Sequence, residues 1–157
     1  MKGEENLRPS GLRQLLETER HGVLASLSAR HAGWPFASVT PYAIDATGRP
    51  ALLLSDLAEH TRNVRADARV SLLVQDSAAL HDPQAGSRLT LLGRVEPFNG
   101  GDAAAAQARY LERHPQSADY FALSDFRLYV LRIQEARFIS GFGDMGWMNA
   151  ARFQKEM

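Results

Sequence analysis

The apolar positions change period several times along the chain, and each change marks an element. Leu12, Leu15 and Leu16 follow Ser10 at the i, i+3, i+4 spacing of a short amphipathic helix, with Gly22 as its expected stop. Residues 23–28 then read as a strand, 30–33 as a turn, and 34–44 as the antiparallel return strand. Asp45-Ala46-Thr47-Gly48 is a turn, since Asp bonds its own downstream backbone and Gly accepts positive φ. Leu52-Leu53-Leu54 is apolar on both faces, the mark of a buried third strand.

A helix over 57–66 is expected next, with Leu57 and Val64 inward and Glu59, Arg62 and Arg65 outward. Strands over 69–74 and 89–95 flank a polar loop at 75–87, and Gly93 marks a bulge. Asp102 is expected to cap an alanine-rich helix that runs to Arg113 and is ended by His114-Pro115. A β-prone run over 126–133 continues over 136–139, with Asp119 and Asp125 in a loop before it. Six or so antiparallel strands separated by turn signals predict an α+β fold, a small barrel or sandwich with peripheral helices.

Composition narrows the function classes. The chain has 157 residues, the size of one domain, and 45% hydrophobic residues are enough for a sizeable core. Eighteen basic residues balance eighteen acidic ones with no basic block, which argues against a dedicated nucleic-acid binder. Without cysteine, disulfides, thiolate catalysis, Cys-ligated zinc and iron–sulfur clusters are excluded. No apolar core follows the N-terminal charges, and no run approaches the roughly 18 apolar residues of a membrane helix. A cytoplasmic location with no membrane partner is the expectation.

Chemistry concentrates in two segments. In Leu54-Ser55-Asp56-Leu57-Ala58-Glu59-His60-Thr61-Arg62-Asn63 a buried strand ends in a hydroxyl, and a helix begins carrying His60, Thr61 and Arg62. Free N–H groups and the dipole at a helix start favour an anion, and an arginine fork suits phosphate. The same residues also read as a cap followed by a solvated face. In Phe36-Ala37-Ser38-Val39-Thr40-Pro41-Tyr42, Ser38 and Thr40 share a strand face, and Pro41 confines the segment to an edge. Such an edge has spare backbone groups to offer a planar heterocycle, or is simply protected by its proline. Gly141-Phe142-Gly143-Asp144-Met145-Gly146 has the G-x-G-x-x-G spacing, but too little chain follows for a βαβ unit. The five histidines are scattered, with no paired metal-ligand spacing, and no nucleophile elbow supports a hydrolase. No metal site and no catalytic acid or base is named.

Taken in order, 22–28, 35–42, 54–63 and Arg88-Leu89-Thr90-Leu91-Leu92-Gly93-Arg94 resemble the FMN-binding split-barrel family related to pyridoxamine 5′-phosphate oxidase. With Gly141-Phe142-Gly143 and Trp147, the chain is most similar to the branch that contains the haem-utilisation proteins. The resemblance covers about residues 10–150 and implies one six-stranded split-barrel domain over 1–157, with short tails. It also implies a homodimer with FMN sites at the subunit interface.

On that resemblance Ser38, Val39 and Thr40 lie along the flavin ring, and Ser55, His60, Thr61 and Arg62 hold its 5′-phosphate. Arg88 is a polar neighbour of the flavin, and Trp147 reaches the cofactor from the second subunit. His60 stands where the oxidases usually carry a lysine, and their C-terminal arginine motif is absent. The implied function is an FMN-dependent oxidoreductase acting on a small molecule. The alternative is haem binding. That branch uses a histidine in a C-terminal extension, whereas here the candidates are His21, His31, His60, His81 and His114. A cofactor-free dimeric binding module is the third reading.

Overall fold

The computed structural model describes residues 10–141 and 144–157. The tail 1–9, and Phe142 and Gly143 of the glycine-rich segment, lie outside the described residues. The elements in chain order are α1 (Leu12–Thr18), β1 (His21–Leu27), β2 (Pro35–Pro41), β3 (Ala43–Ile44), β4 (Pro50–Ser55), α2 (Glu59–Ala66) and β5 (Arg69–Gln75). They continue with β6 (Ser87–Pro97), α3 (Asp102–Arg113), α4 (Ala118–Phe121), β7 (Phe126–Ser140), β8 (Met145–Asn149) and α5 (Ala150–Glu156). All strand pairs are antiparallel, in the order β2-β1-β5-β6-β7-β4-β3, with β8 also on β7.

The 15-residue β7 makes this sheet curl. One edge pairs with β6 from Tyr129 to Ser140, while the other pairs with β4 through Phe126 to Val130 and with β8 through Glu135 to Ile139. The register shifts at Leu92/Gly93, where β7 carries an extra residue, so the bulge expected at Gly93 is present. A Cβ on Gly93 would fall 2.2 Å from the Arg132 carbonyl oxygen, so only glycine lets β7 cross so closely. The concave side is filled by one cluster, including Leu12, Leu24, Leu52, Leu72, Leu91, Leu131, Phe138 and Phe153. A second cluster, on the opposite face of β4, sets Ala51 and Leu53 against Tyr110 of α3.

The structure corrects several sequence expectations. Gly22 does not stop α1; Glu19 does, and Gly22 lies inside β1, where a Cβ would sit 2.6 Å from the Leu73 carbonyl oxygen. The helix start belongs to Gly11 at φ 94° rather than to Ser10. The return strand over 34–44 is broken at Tyr42, whose N–H donates to Arg20 O (3.1 Å) and whose hydroxyl donates to Leu16 O (2.9 Å). The hydroxyl bond ties Tyr42 to α1, the N–H bond ties it to the segment between α1 and β1, and β3 pairs with β4 instead of β1. Leu57 is 73% exposed, because α2 begins only at Glu59 and leaves it in the preceding turn. Asp102 is the first residue of α3 and Gly101 holds the cap position. At that place the carboxylate still faces the positive end of the helix. The expected loop before β7 contains α4, and the C-terminal segment forms β8 and α5, which brings the strand count to eight.

Candidate functional site

β2 is an edge strand that pairs only with β1. Its alternation divides the expected ring-facing segment between two faces. Thr40 lies opposite Gly22 and Ser38 opposite Leu24, so both point to the side of the sheet that carries the core. Val39 lies opposite Val23 on the convex side and is 67% exposed.

On the core side β2 meets α2. Ser38 Oγ and His60 Nδ1 lie 3.3 Å apart, joining the two segments the sequence singled out. α2 is seated there by Asn63, which is fully buried. Its Oδ1 accepts from Ala29 N (2.9 Å), and its Nδ2 donates to Ser26 Oγ (3.0 Å). His60 is half-buried, and burial lowers its pKa from the ordinary imidazole value, so the neutral ring is favoured. Thr40 and Thr61 are both buried, and among the described residues neither hydroxyl has a partner. An unmatched buried hydroxyl costs about 1–3 kcal/mol, so these two are unusual for a finished core. Exposed Trp34 and half-exposed Phe36 continue the rim along the strand.

The remaining phosphate-site candidates face elsewhere. Ser55 Oγ donates to Asp125 Oδ2 (2.9 Å) and accepts from Leu57 N (3.1 Å). Arg62 is mostly exposed, with Nη1 3.6 Å from Glu59 Oε2. Asp56 pairs with Arg65 and lies 3.8 Å from Arg127 Nε. The start of α2 therefore carries two carboxylates, Asp56 and Asp125, near the hydroxyl of Ser55.

Arg88 and Trp147 lie on the convex face. Register places Val39, Val23, Leu73, Thr90, Arg137 and Trp147 in one row across six strands. The row is half-buried to exposed throughout. The Arg137 guanidinium lies 5.6 Å from the Trp147 ring centroid. Arg88 donates from Nη1 to Pro83 O (2.6 Å) and Gly86 O (3.3 Å), holding the loop before β6. Trp147 lies five strand spacings from β2 in this row, about 24 Å along the sheet. Within one chain the two therefore sit at opposite ends of the row.

Of the histidines, His21, His31 and His81 are exposed, and His114 is buried with Nε2 2.7 Å from Tyr42 O. His60 alone is half-buried and oriented by a side chain of another element. Sequence reading passed over the seating role of Asn63, although its spacing three residues after His60 puts both on one helical face. It gave no sign that Asp125 would claim Ser55, a contact 70 residues apart. Among the described residues no cluster of three metal-ligating side chains occurs, and no helix is long and apolar enough to cross a membrane.

Several known proteins are similar to this chain. HOZ, a chloroplastic heme oxygenase of Arabidopsis thaliana, is 31% identical over 147 residues, covering 92% of this chain and 44% of that protein. A heme binding protein from Mycobacterium smegmatis superposes with a TM-score of 0.84 at 34% identity, over 95% of this chain and 62% of that one. HutZ of Vibrio cholerae, a heme storage protein, does so with a TM-score of 0.66 at 25% identity, over 82% of this chain and 90% of that one. A protein of the pyridoxinephosphate oxidase family from Clostridium acetobutylicum shares the fold alone, at 11% identity with a TM-score of 0.68 over 92% of this chain and 95% of that one. The chain spans less than half the length of HOZ and about three fifths of the Mycobacterium protein. Both the split-barrel fold and the kinship with haem-utilisation proteins are thereby shown. The family model described as CREG, beta-barrel matches residues 4–155, and the chain belongs to that family.

Proposed function

We propose that this protein binds haem at the rim where β2 meets α2, with the imidazole of His60 as a ligand to the iron. The observation that carries the reading is the Ser38–His60 contact on a half-buried ring held below its ordinary pKa. Iron takes a neutral imidazole, and a ring whose Nδ1–H is given to Ser38 Oγ keeps the Nε2 lone pair for the metal. Phe36, on the same face of β2 as Ser38, and Trp34 just before the strand offer exposed apolar surface for a large flat ligand. Bound haem would supply an iron centre for ligand or electron chemistry. The protein's part is to orient the imidazole, fix its tautomer and cover one face of the ring system. The names of HOZ, HutZ and the Mycobacterium protein favour haem over the other cofactor.

FMN is the second reading, favoured by the two unpartnered threonine hydroxyls beside the first turn of α2 and by Arg62 on that helix. It ranks behind haem because the hydroxyl of Ser55 is committed to the carboxylate of Asp125, which opposes a phosphate dianion at that place. With FMN bound, the chain would act as an oxidoreductase on a small molecule.

In either case a second copy on the convex face is part of the proposal. An isologous pairing of the uncovered row would let Trp147 of one copy approach β2 of the other, which a single chain does not bring together in that row.

The test is the absorption spectrum of the purified protein titrated with haemin and, separately, with FMN. A saturable Soret band is expected, with the signature of imidazole ligation lost in His60→Ala and kept in His31→Ala and His81→Ala. Retention in His60→Ala would remove His60 as ligand. A flavin response without a Soret band would turn the reading to FMN, and silence with both would favour a cofactor-free binding module.

A further inference from the structure

Away from β2 and α2, a cavity of about 460 Å³ opens between α1, the β3–β4 turn and α3. Its walls are unusually rich in arginine. Arg20 follows α1, and Arg109 and Arg113 stand one turn apart on α3, on the same helical face. Arg20 donates from Nη1 to Arg113 O (2.8 Å), and Arg113 donates from Nη2 to Glu19 O (2.6 Å), so the two guanidiniums cross-tie α1 and α3. Each of those bonds uses one of five N–H donors and neutralises no charge.

The carboxylates in the same walls are mostly spent. Glu17 pairs with Arg13 (2.8 Å), and Asp45 pairs with Arg49 (2.8 Å) and accepts from Thr47. Among the described residues none of Arg20, Arg109 and Arg113 has an ion pair with a carboxylate, which leaves Glu112 as the one unpaired side-chain carboxylate lining the cavity. Neighbouring His114 responds to this field. Burial lowers its pKa first, the bond to the Tyr42 carbonyl opposes that, and the charges of Arg113, Arg20 and His21 lower it further. The cavity also has an apolar wall in Leu16, Ala43 and Ile44.

We propose that this cleft binds a small organic oxyanion, with Arg20, Arg109 and Arg113 gripping a phosphate or carboxylate group. Guanidinium forks match both groups, and two of the three are already immobilised, which lowers the entropy lost on binding. The ligand's apolar part lies against Leu16, Ala43 and Ile44. The site is independent of the haem reading, since none of its lining residues comes from β2 or α2.

The test follows thermal unfolding with increasing inorganic phosphate and, in a separate series, citrate, with ionic strength held constant by chloride. A saturable rise in Tm is expected with at least one of the two, as for any ligand that binds only the folded chain. A response to phosphate alone would assign a phosphate ester, and a response to citrate alone a carboxylate. Arg109 is exposed and bonds to nothing among the described residues, so Arg109→Ala and Arg109→Gln leave the α1–α3 tie intact. Each is expected to weaken the response about tenfold, while Arg94→Ala, at an exposed arginine outside the cleft, leaves it unchanged. No saturable rise in the wild type, an equal rise in both Arg109 variants, or loss of the rise in Arg94→Ala would overturn the proposal.

Discussion

β4 and β2 are strands of 6 and 7 residues in the same sheet, yet they do different work. β4 pairs with β7 from Ala51 to Ser55 and with β3 at Pro50 and Ala51, and it is buried on both faces, with Leu52 and Leu54 in the barrel core and Ala51 and Leu53 under α3. β2 is paired on one edge, and only Thr40 of its seven residues is buried. A strand buried on both faces contributes chiefly stability. One left open on an edge and a face has backbone, hydroxyls and apolar surface to give a ligand or a second copy. The contrast shows why the candidate chemistry gathers at β2 and α2 while the β4 core stays apolar.

The contrast predicts opposite responses to mutation. Leu52→Ala in β4 is expected to cost about 2–5 kcal/mol of unfolding free energy, measured by urea denaturation, because it leaves a cavity in a fully buried site. A loss below about 1 kcal/mol would mean that the core relaxes around the cavity and that two-sided burial is not what anchors the strand. Val39→Lys in β2 is expected to change chain stability by no more than about 0.5 kcal/mol, since the side chain is exposed. It should nonetheless dissociate the proposed dimer, weakening association about tenfold or more in sedimentation equilibrium, because it places a charge at the apolar end of the row, beside Val23 and Leu73. A Val39→Lys chain that self-associates like the wild type would locate the interface elsewhere.

Much of this division was legible in the sequence, for local reasons. The triple leucine of β4 announced burial on both faces, and Pro41 announced an edge. The Asp45–Gly48 turn is set by its own side chain, with Asp45 Oδ1 accepting from Thr47 N and Arg49 N. What was not legible depends on partners distant in sequence. Tyr42 leaves its strand with its hydroxyl bonded to Leu16 of α1, and Ser55 is claimed by Asp125. β8 was missed because it is a short strand completed only by the far half of β7. At the candidate site, the pairing of Ser38 with His60 could be inferred only through the family resemblance. No spacing rule links residues 22 apart on a strand and a helix.

The finest test of the open strand is its effect on proton binding. Burial depresses the His60 pKa in the folded chain below the value of about 6.5 that an unfolded chain has. Between those two values the unfolded chain binds the proton and the folded chain does not, so His60 makes stability fall as pH drops through that window. Iron ligation needs the neutral ring, so within the same window the depressed pKa protects it. Coordination by His60 is therefore expected to persist to lower pH than ligation by an ordinary exposed imidazole. An NMR titration of the apo chain should place the His60 midpoint below that of a model imidazole. In Ser38→Ala the midpoint should stay low, because burial rather than the hydroxyl sets it, while haem affinity falls as the ring loses its orientation. A midpoint that returns to the ordinary value in Ser38→Ala would show that the β2 hydroxyl, and not cover by the protein, holds His60 neutral.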